Sequence, residues 1–151
     1  MNDSPRFKAV DDIFSGRRRG NQLMASGQGI TAEEARLLWA SQDMAEITWL
    51  DLDDNLLGDD GVRELSECAF LENVQYLNLN HNGITDEGVK ILAKSPHLKK
   101  LKRLHLKDNP IEGEGILALF NSETLEGLSN FQLHEGWSCR KKEGWRYKSK
   151  D

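Results

Sequence analysis

The sequence repeats with a period of 27 residues, and this periodicity constrains the fold more than any other feature. Two apolar columns recur two positions apart, which is the spacing of side chains on one face of a strand. The first column holds Leu50, Leu77, Leu104 and Phe131. The second column holds Leu52, Leu79, Leu106 and Leu133. A unit of this length has one apolar face, so neighbouring units must stack to bury it.

The rest of the unit keeps the same register. A glycine column contains Gly61, Gly88 and Gly115. Two apolar columns follow it, three positions apart as on one face of a helix. They contain Val62, Val89 and Ile116, and Leu65, Leu92 and Leu119. An asparagine column contains Asn55, Asn82 and Asn109, with Gly136 in the fourth place. A short amide side chain offers both a donor and an acceptor to turn backbone. We therefore predict that these three asparagines form a ladder that stabilises the fold and does not recognise a ligand.

The strand motifs read Leu50-Asp-Leu-Asp-Asp-Asn, Leu77-Asn-Leu-Asn-His-Asn and Leu104-His-Leu-Lys-Asp-Asn. They resemble the leucine-rich repeat family, in the ribonuclease-inhibitor-like subtype that has a helix in every repeat, over residues 47–136. The resemblance implies an α/β fold: a short solenoid forming a segment of a horseshoe. Its parallel strands would lie on the concave side and its helices on the convex side. It also implies that the ladder asparagines bond the turns of stacked repeats.

We divide the chain into an N-terminal extension (1–20), a repeat domain (21–136) and a basic aromatic C-terminal tail (137–151). Within the domain we expect a degenerate capping repeat (21–46), three full repeats (47–73, 74–100 and 101–127) and a terminal strand (128–136). In the capping repeat, the run from Thr31 to Glu34 predicts a capping box that opens a helix to about Gln42. Glu34 replaces the glycine of later repeats, which we interpret as the absence of a crowding neighbour. We expect the extension to be mobile or loosely docked.

Charge and composition exclude several classes of protein. The net charge of −5 divides into +2 for residues 1–20, −11 for residues 21–136 and +4 for residues 137–151, so the body is unsuited to broad contact with phosphate. No segment predicts a secretion signal or a membrane span. The two cysteines match no disulfide framework or zinc motif. Histidines and aspartates are scattered through surface columns, so we predict no metal, cofactor or catalytic site. Because the sequence predicts neither a secretion signal nor a disulfide framework, we predict a cytoplasmic location.

In the resembled family, the side chains beside the inward leucines point out of the concave sheet and contact partners. The residues at these positions here are Trp49, Asp51, Asp53, Tyr76, Asn78, Arg103, His105 and Lys107. Tryptophan, tyrosine and arginine are the types most enriched as interface anchors. The alternative is that the aromatics simply suit a pleated surface and the charges maintain solubility.

The tail interleaves aromatic and basic residues from Trp137 to Lys148, and we expect it to leave the repeat array. One interpretation is that Trp137 and Trp145 fold back and cover the last apolar layer. The other is that the tail contacts nucleic acid or an anionic surface. Cations around Cys139 could lower the pKa of its thiol and make it reactive.

These features together predict a non-enzymatic protein-protein interaction module that binds another protein on its concave face and is monomeric when free. The alternative function is that of a nucleic-acid or anionic-surface accessory protein that uses the basic tail.

Overall fold

The computed structural model describes residues 6–134, 137–140 and 146–149. In these residues a single sheet contains eight strands, ordered along the sheet as they are along the chain. The strands are β1 (Arg18–Arg19), β2 (Gln22–Met24), β3 (Trp49–Asp51), β4 (Tyr76–Asn78), β5 (Arg103–His105), β6 (Asn130–His134), β7 (Trp137–Arg140) and β8 (Arg146–Ser149). The α-helices are α1 (Val10–Phe14), α2 (Ala32–Trp39), α3 (Gly58–Ser66), α4 (Asp86–Leu92) and α5 (Gly113–Phe120). Short 3₁₀ helices span Gln42–Glu46 and Ala69–Leu71.

The five central strands, β2 to β6, are parallel, and their register follows the 27-residue repeat. Leu50 lies opposite Leu23 on one side and Leu77 on the other, and Leu104 lies opposite Leu77 and Phe131. Antiparallel pairing occurs between β1 and β2, between β6 and β7 and between β7 and β8. The predicted α/β fold with a parallel sheet is thus confirmed.

One face of the sheet is buried under the helices. The strand leucines Leu50, Leu77 and Leu104 are fully buried in the same apolar cluster as Val62 of α3 and Val89 of α4. Helices α2 to α5 pack side by side in chain order, so each repeat buries its apolar face against its neighbours. Side chains alternate across a strand. The residues that flank these leucines therefore lie on the opposite side, which we call the open face.

The asparagine column lies between the sheet and the helices and bonds backbone of the preceding repeat. Asn109 accepts hydrogen bonds from the backbone N–H groups of Asn82 and Ile84 at 2.9 and 3.0 Å and donates to the Leu79 carbonyl at 2.9 Å. Asn82 and Asn55 make equivalent contacts one and two repeats earlier. All three side chains are buried, so their amides satisfy backbone groups that water does not reach.

The glycine column marks a place of close contact between neighbouring repeats. Asp59 at the start of α3 accepts hydrogen bonds from the Thr85 backbone N–H at 2.8 Å and the Thr85 hydroxyl at 2.6 Å, just before α4. A Cβ atom on Gly88 would collide with the Asp59 carboxylate and would lie 2.8 Å from Cγ2 of Ile84. Gly115 is crowded in the same way by Asp86, whose carboxylate accepts from the backbone before α5. At these two positions only glycine leaves room for the aspartate carboxylate that connects one helix to the start of the next.

Gly88→Ala should lower the free energy of unfolding by about 1–3 kcal/mol, because the new methyl group displaces Asp59 from its two hydrogen bonds. Gly113→Ala is the matched control: no atom lies within 4 Å of its added Cβ, and it begins α5. That change should be neutral or stabilising by up to about 1 kcal/mol. Urea denaturation of both variants provides the comparison, and equal destabilisation would contradict the crowding explanation.

The first repeat differs at this column because the N-terminal segment packs there. Glu34 is 5% exposed and accepts hydrogen bonds from the backbone N–H groups of Arg6 at 2.8 Å and Thr31 at 3.1 Å. Its pKa is lowered, since these donors outweigh the opposing effect of burial. The capping box forms as predicted, although α2 ends at Trp39 and a 3₁₀ helix follows from Gln42.

The expectation of a loosely docked N-terminal extension was wrong for residues 6–20. Ile13 and Phe14 of α1 belong to the core, and Arg18–Arg19 pair with β2. The side chain of Arg17 also donates to the backbone carbonyl of Asp12 at 3.0 Å. This segment therefore covers the first repeat, so Glu34 does have a neighbour before it.

The C-terminal residues extend the sheet instead of leaving it, which corrects the expectation for the tail. β7 pairs antiparallel with β6, and β8 pairs antiparallel with β7. Cys139 lies opposite Phe131 and is 1% exposed, and burial raises the pKa of its thiol. The prediction of a reactive thiol was therefore wrong. Trp145 and Gly136 lie outside the described residues, as do the side chains of Trp137 and Lys148.

Candidate functional site

The open face carries rows of side chains that run across the strands. In the first row, Trp49, Tyr76 and Arg103 lie opposite one another on β3, β4 and β5. In the second row, Asp51, Asn78 and His105 do the same. The parallel register therefore brings residues that are 27 positions apart in sequence into neighbouring positions.

Trp49 and Tyr76 form a stacked aromatic pair. Their ring centroids are 3.6 Å apart and their planes are inclined by 15°. Both residues are partly exposed, so the pair presents apolar surface to solvent while each ring supports the other. The indole Nε1 of Trp49 is buried and has no hydrogen-bond partner in the described part of the chain. This pair forms an apolar shelf, and the other open-face side chains of β3, β4 and β5 are polar.

His105 extends the aromatic row on the next strand. Its ring meets that of Tyr76 edge-on, with centroids 5.0 Å apart, and its Nδ1 lies 3.3 Å from the Tyr76 hydroxyl oxygen. Burial, together with Lys107 and Arg103, lowers the pKa of His105. Burial and the carboxylate of Asp51 raise the pKa of Tyr76. The hydrogen bond and the edge-on ring contact therefore couple Tyr76 to His105 and restrain both rings.

Two side chains of the second row, which we predicted to contact a partner, hydrogen-bond the protein's own backbone. Asp51 and Asn78 each accept a hydrogen bond at 3.1 Å from the backbone N–H two residues later, at Asp53 and Asn80. Burial raises the pKa of Asp51. Asn78 is 8% exposed, so little of its side chain is available to a partner. We therefore omit Asn78 from the proposed contact set.

The turns after the strands contain a contact that sequence reasoning missed. The His81 ring lies between two carboxylates: Nδ1 is 3.1 Å from Oδ1 of Asp53 and Nε2 is 3.0 Å from Oδ2 of Asp108. The three residues come from three successive repeats. His81 and Asp108 also have left-handed backbone, with φ of 49° and 56°, as does Asp54 at 54°. Asp54, His81 and Asp108 are spaced 27 residues apart, and this spacing indicated a turn that recurs in each repeat. It did not reveal that the His81 side chain bridges Asp53 and Asp108.

The pKa of His81 is raised, chiefly by its hydrogen bond with Asp53 and then by the charge of Asp108. A raised pKa in the folded state means that the bridge stabilises the fold fully below the unfolded value of 6.5 and loses this effect as pH rises through the folded value. His81→Asn retains a residue that tolerates left-handed backbone. We expect this variant to be less stable than the wild type at about pH 5.5, with a smaller difference at about pH 8.5. Thermal melts at both pH values measure it, and a pH-independent difference would refute the bridge.

The described residues contain no group of three or more His, Cys, Asp or Glu side chains that could hold a metal ion. Cys68 is buried, its thiol donates to the Trp39 carbonyl at 3.3 Å, and burial raises its pKa. In the part of the chain described, no helix has the length and apolar character needed to cross a bilayer.

A sheet whose five central strands are parallel, with one α-helix per repeat, defines this chain as a strand–helix repeat protein. Comparison with protein families extends this description: residues 71–93 and 97–120 match the model of a leucine-rich repeat. The two matches support the leucine-rich repeat family predicted from the motifs. Repeats of this kind generally mediate protein-protein interaction and are typically non-enzymatic. A search of curated proteins finds no significant match to this sequence.

Seven of the eight predicted contact residues have partly or fully exposed side chains. They are Trp49 and Tyr76 of the aromatic shelf, and Asp51, Asp53, Arg103, His105 and Lys107 around it. Their role in binding stays a prediction, as do the cytoplasmic location and the monomeric state. The basic tail's proposed contact with nucleic acid concerns side chains outside the described residues.

Proposed function

We propose that this protein binds a partner protein on the open face of its sheet, with the Trp49–Tyr76 shelf as the anchor. The observation that carries the proposal is the stack itself: two large aromatic rings, 3.6 Å apart, are partly exposed on a rigid sheet. Aromatic side chains that are already ordered lose little conformational entropy on binding. Such rings are typical interface anchors.

Several features support the finer assignment of the repeat. The 27-residue period and the presence of an α-helix in each full repeat favour the ribonuclease-inhibitor-like subtype. We infer that the repeats stack as a short solenoid whose open face is the concave side of a horseshoe segment. In this arrangement a partner would contact several strands at once, so that the charged residues around the shelf can set its orientation.

Charges surround the shelf with opposite signs on its two sides. Asp51 and Asp53 lie on and just after β3, whereas Arg103 and Lys107 lie on and just after β5. A partner with the reverse order of charges would be oriented during encounter, and binding should be faster at low salt.

Affinity capture with the full chain, followed by mass spectrometry, tests this function. The wild type and a folded variant with alanine at Trp49 and Tyr76 serve as parallel baits. A protein recovered by the wild type and lost with the variant supports binding through the open face. Equal recovery of every captured protein by both baits would overturn it.

A further inference from the structure

A shallow cleft lies beside the aromatic shelf, at the amino ends of the central strands. Its volume is about 250 Å³. It is lined by Thr48, Trp49, Gln75, Tyr76, Lys102 and Arg103. The cleft therefore combines apolar ring surface with two cationic side chains and two neutral polar ones.

The two cations of the cleft have exposed side chains that are free to take a ligand. In the described residues, neither Lys102 nor Arg103 has a carboxylate within ion-pair distance, whereas Arg36 pairs with Glu64 at 2.8 Å and Lys90 pairs with Glu87 at 2.9 Å. Unpaired surface cations are common, but these two are adjacent in sequence and stand beside an ordered aromatic pair. An anion placed between them would meet two positive charges without displacing an existing partner.

The polar groups of the cleft are suited to a carboxylate. Thr48 Oγ1 accepts a hydrogen bond from Asn21 Nδ2 at 2.8 Å, so its own hydroxyl hydrogen is left for a further acceptor. The exposed amide of Gln75 and the guanidinium of Arg103 add donors. A guanidinium binds a planar carboxylate through two parallel hydrogen bonds.

The surroundings favour a single acidic side chain over a polyanion. Asp51 and Asp53 lie on the same face, and residues 21–136 carry a net charge of −11. A chain of phosphates that extended beyond the cleft would be repelled by these carboxylates. One Asp or Glu side chain avoids this repulsion, since its neighbours in the partner can be apolar or basic.

We propose that the cleft binds an aspartate or glutamate side chain of the partner protein, next to an apolar residue that packs on the Trp49–Tyr76 shelf. This assignment rests on the proposed binding function of the open face and specifies the chemistry of the partner. Arg103 and Lys102 engage the carboxylate, and the shelf supplies the apolar contact.

The test begins by selecting binders to the full chain from a displayed library of random 12-residue peptides. Selected peptides should be enriched in Asp or Glu beside an apolar residue. Affinity of an enriched peptide is then measured by fluorescence polarisation for the wild type, for Lys102→Gln/Arg103→Gln and for Lys8→Gln/Lys94→Gln. The last variant removes the same charge at two exposed positions that do not line the cleft. The cleft variant should bind at least about tenfold more weakly, and the control within about twofold.

A further comparison separates failure of this inference from failure of the proposed function. One outcome is that the peptides lose binding to Trp49→Ala/Tyr76→Ala and yet lack acidic residues or bind the cleft variant normally. This result would support the open face as the binding site and overturn the proposal that the cleft binds an acidic side chain. Selected peptides that tolerate the alanine variant, or a library that yields no binder, would overturn both. A single-stranded oligonucleotide that binds in an Arg103-dependent way, where acidic peptides do not, would replace the carboxylate by phosphate.

Discussion

Replacing both Trp49 and Tyr76 with alanine should weaken partner binding by at least about 30-fold, because each ring of the exposed stack is expected to act as an anchor. The stack has a centroid separation of 3.6 Å, and the Tyr76 hydroxyl is held by His105, so the rings are ordered before a partner arrives. Removing them deletes the apolar contact and also the rigidity of the row. Titration calorimetry with the captured partner measures the loss.

The same double substitution should lower stability without unfolding the protein. Loss of the partly exposed aromatic pair costs about 1 kcal/mol in addition to the area that its rings bury, and the buried leucines next to these residues, Leu50 and Leu77, are untouched. Circular dichroism should therefore show a folded protein with a lower melting temperature. Trp49→Phe/Tyr76→Phe is the matched control, since it retains two stacked rings and should retain most of the affinity. Comparable loss in both variants would indicate that the polar groups, and not the shelf, dominate binding.

Replacing Asn82 with alanine should lower the free energy of unfolding by about 1–3 kcal/mol, because a buried backbone N–H group loses its hydrogen-bond acceptor. Its amide donates to the carbonyls of Leu52 and Asn80, both at 2.8 Å, and accepts from the Leu57 backbone N–H at 3.3 Å. Alanine leaves the buried Leu57 N–H without a partner, whereas the Leu52 carbonyl keeps the Asn55 amide and the Asn80 carbonyl keeps the Asp54 N–H. Water cannot replace the amide unless the turn opens, since Asn82 is 2% exposed.

Asn121→Ala is the control for this experiment. Asn121 is exposed just after α5, and the change should stay within about 0.5 kcal/mol of the wild type. Urea denaturation of the wild type and both variants gives the two differences. A cost for Asn82 no larger than for Asn121 would mean that the ladder contributes nothing to the folded state.

Much of the fold was predictable because a repeat multiplies weak local signals. Leucines in a single short strand would be ambiguous, but the same leucine positions in four aligned repeats predict parallel neighbours in a fixed register. The pairing of Leu50 with Leu77 and of Leu77 with Leu104 follows from that register. The glycine column was also interpreted correctly as a place of close approach, although the carboxylate that causes the crowding, Asp59 or Asp86, was not foreseen.

The ends of the array were predicted less well, since the repeat pattern is absent there. Residues 10–19 have no clear periodicity, yet Ile13 and Phe14 enter the core and the following strand pairs with β2. At the other end, the strand pairing of β7 and the burial of Cys139 reverse the expectation of a reactive thiol. End segments pack through contacts that have no counterpart elsewhere in the sequence, so alignment of repeats cannot reveal them.

By itself, the sequence determined which residues share a row, because the period and the alternation of side chains along a strand are both readable from residue order. Only the tertiary structure decided what those neighbours do to one another. In the structure, Trp49 stacks on Tyr76, and His81 lies between two carboxylates. Asn78 is buried although its row neighbours Asp51 and His105 are partly exposed. The physical reason is that rotamers, burial and hydrogen-bond partners depend on distances across strands, which the spacing of residues along the chain does not specify.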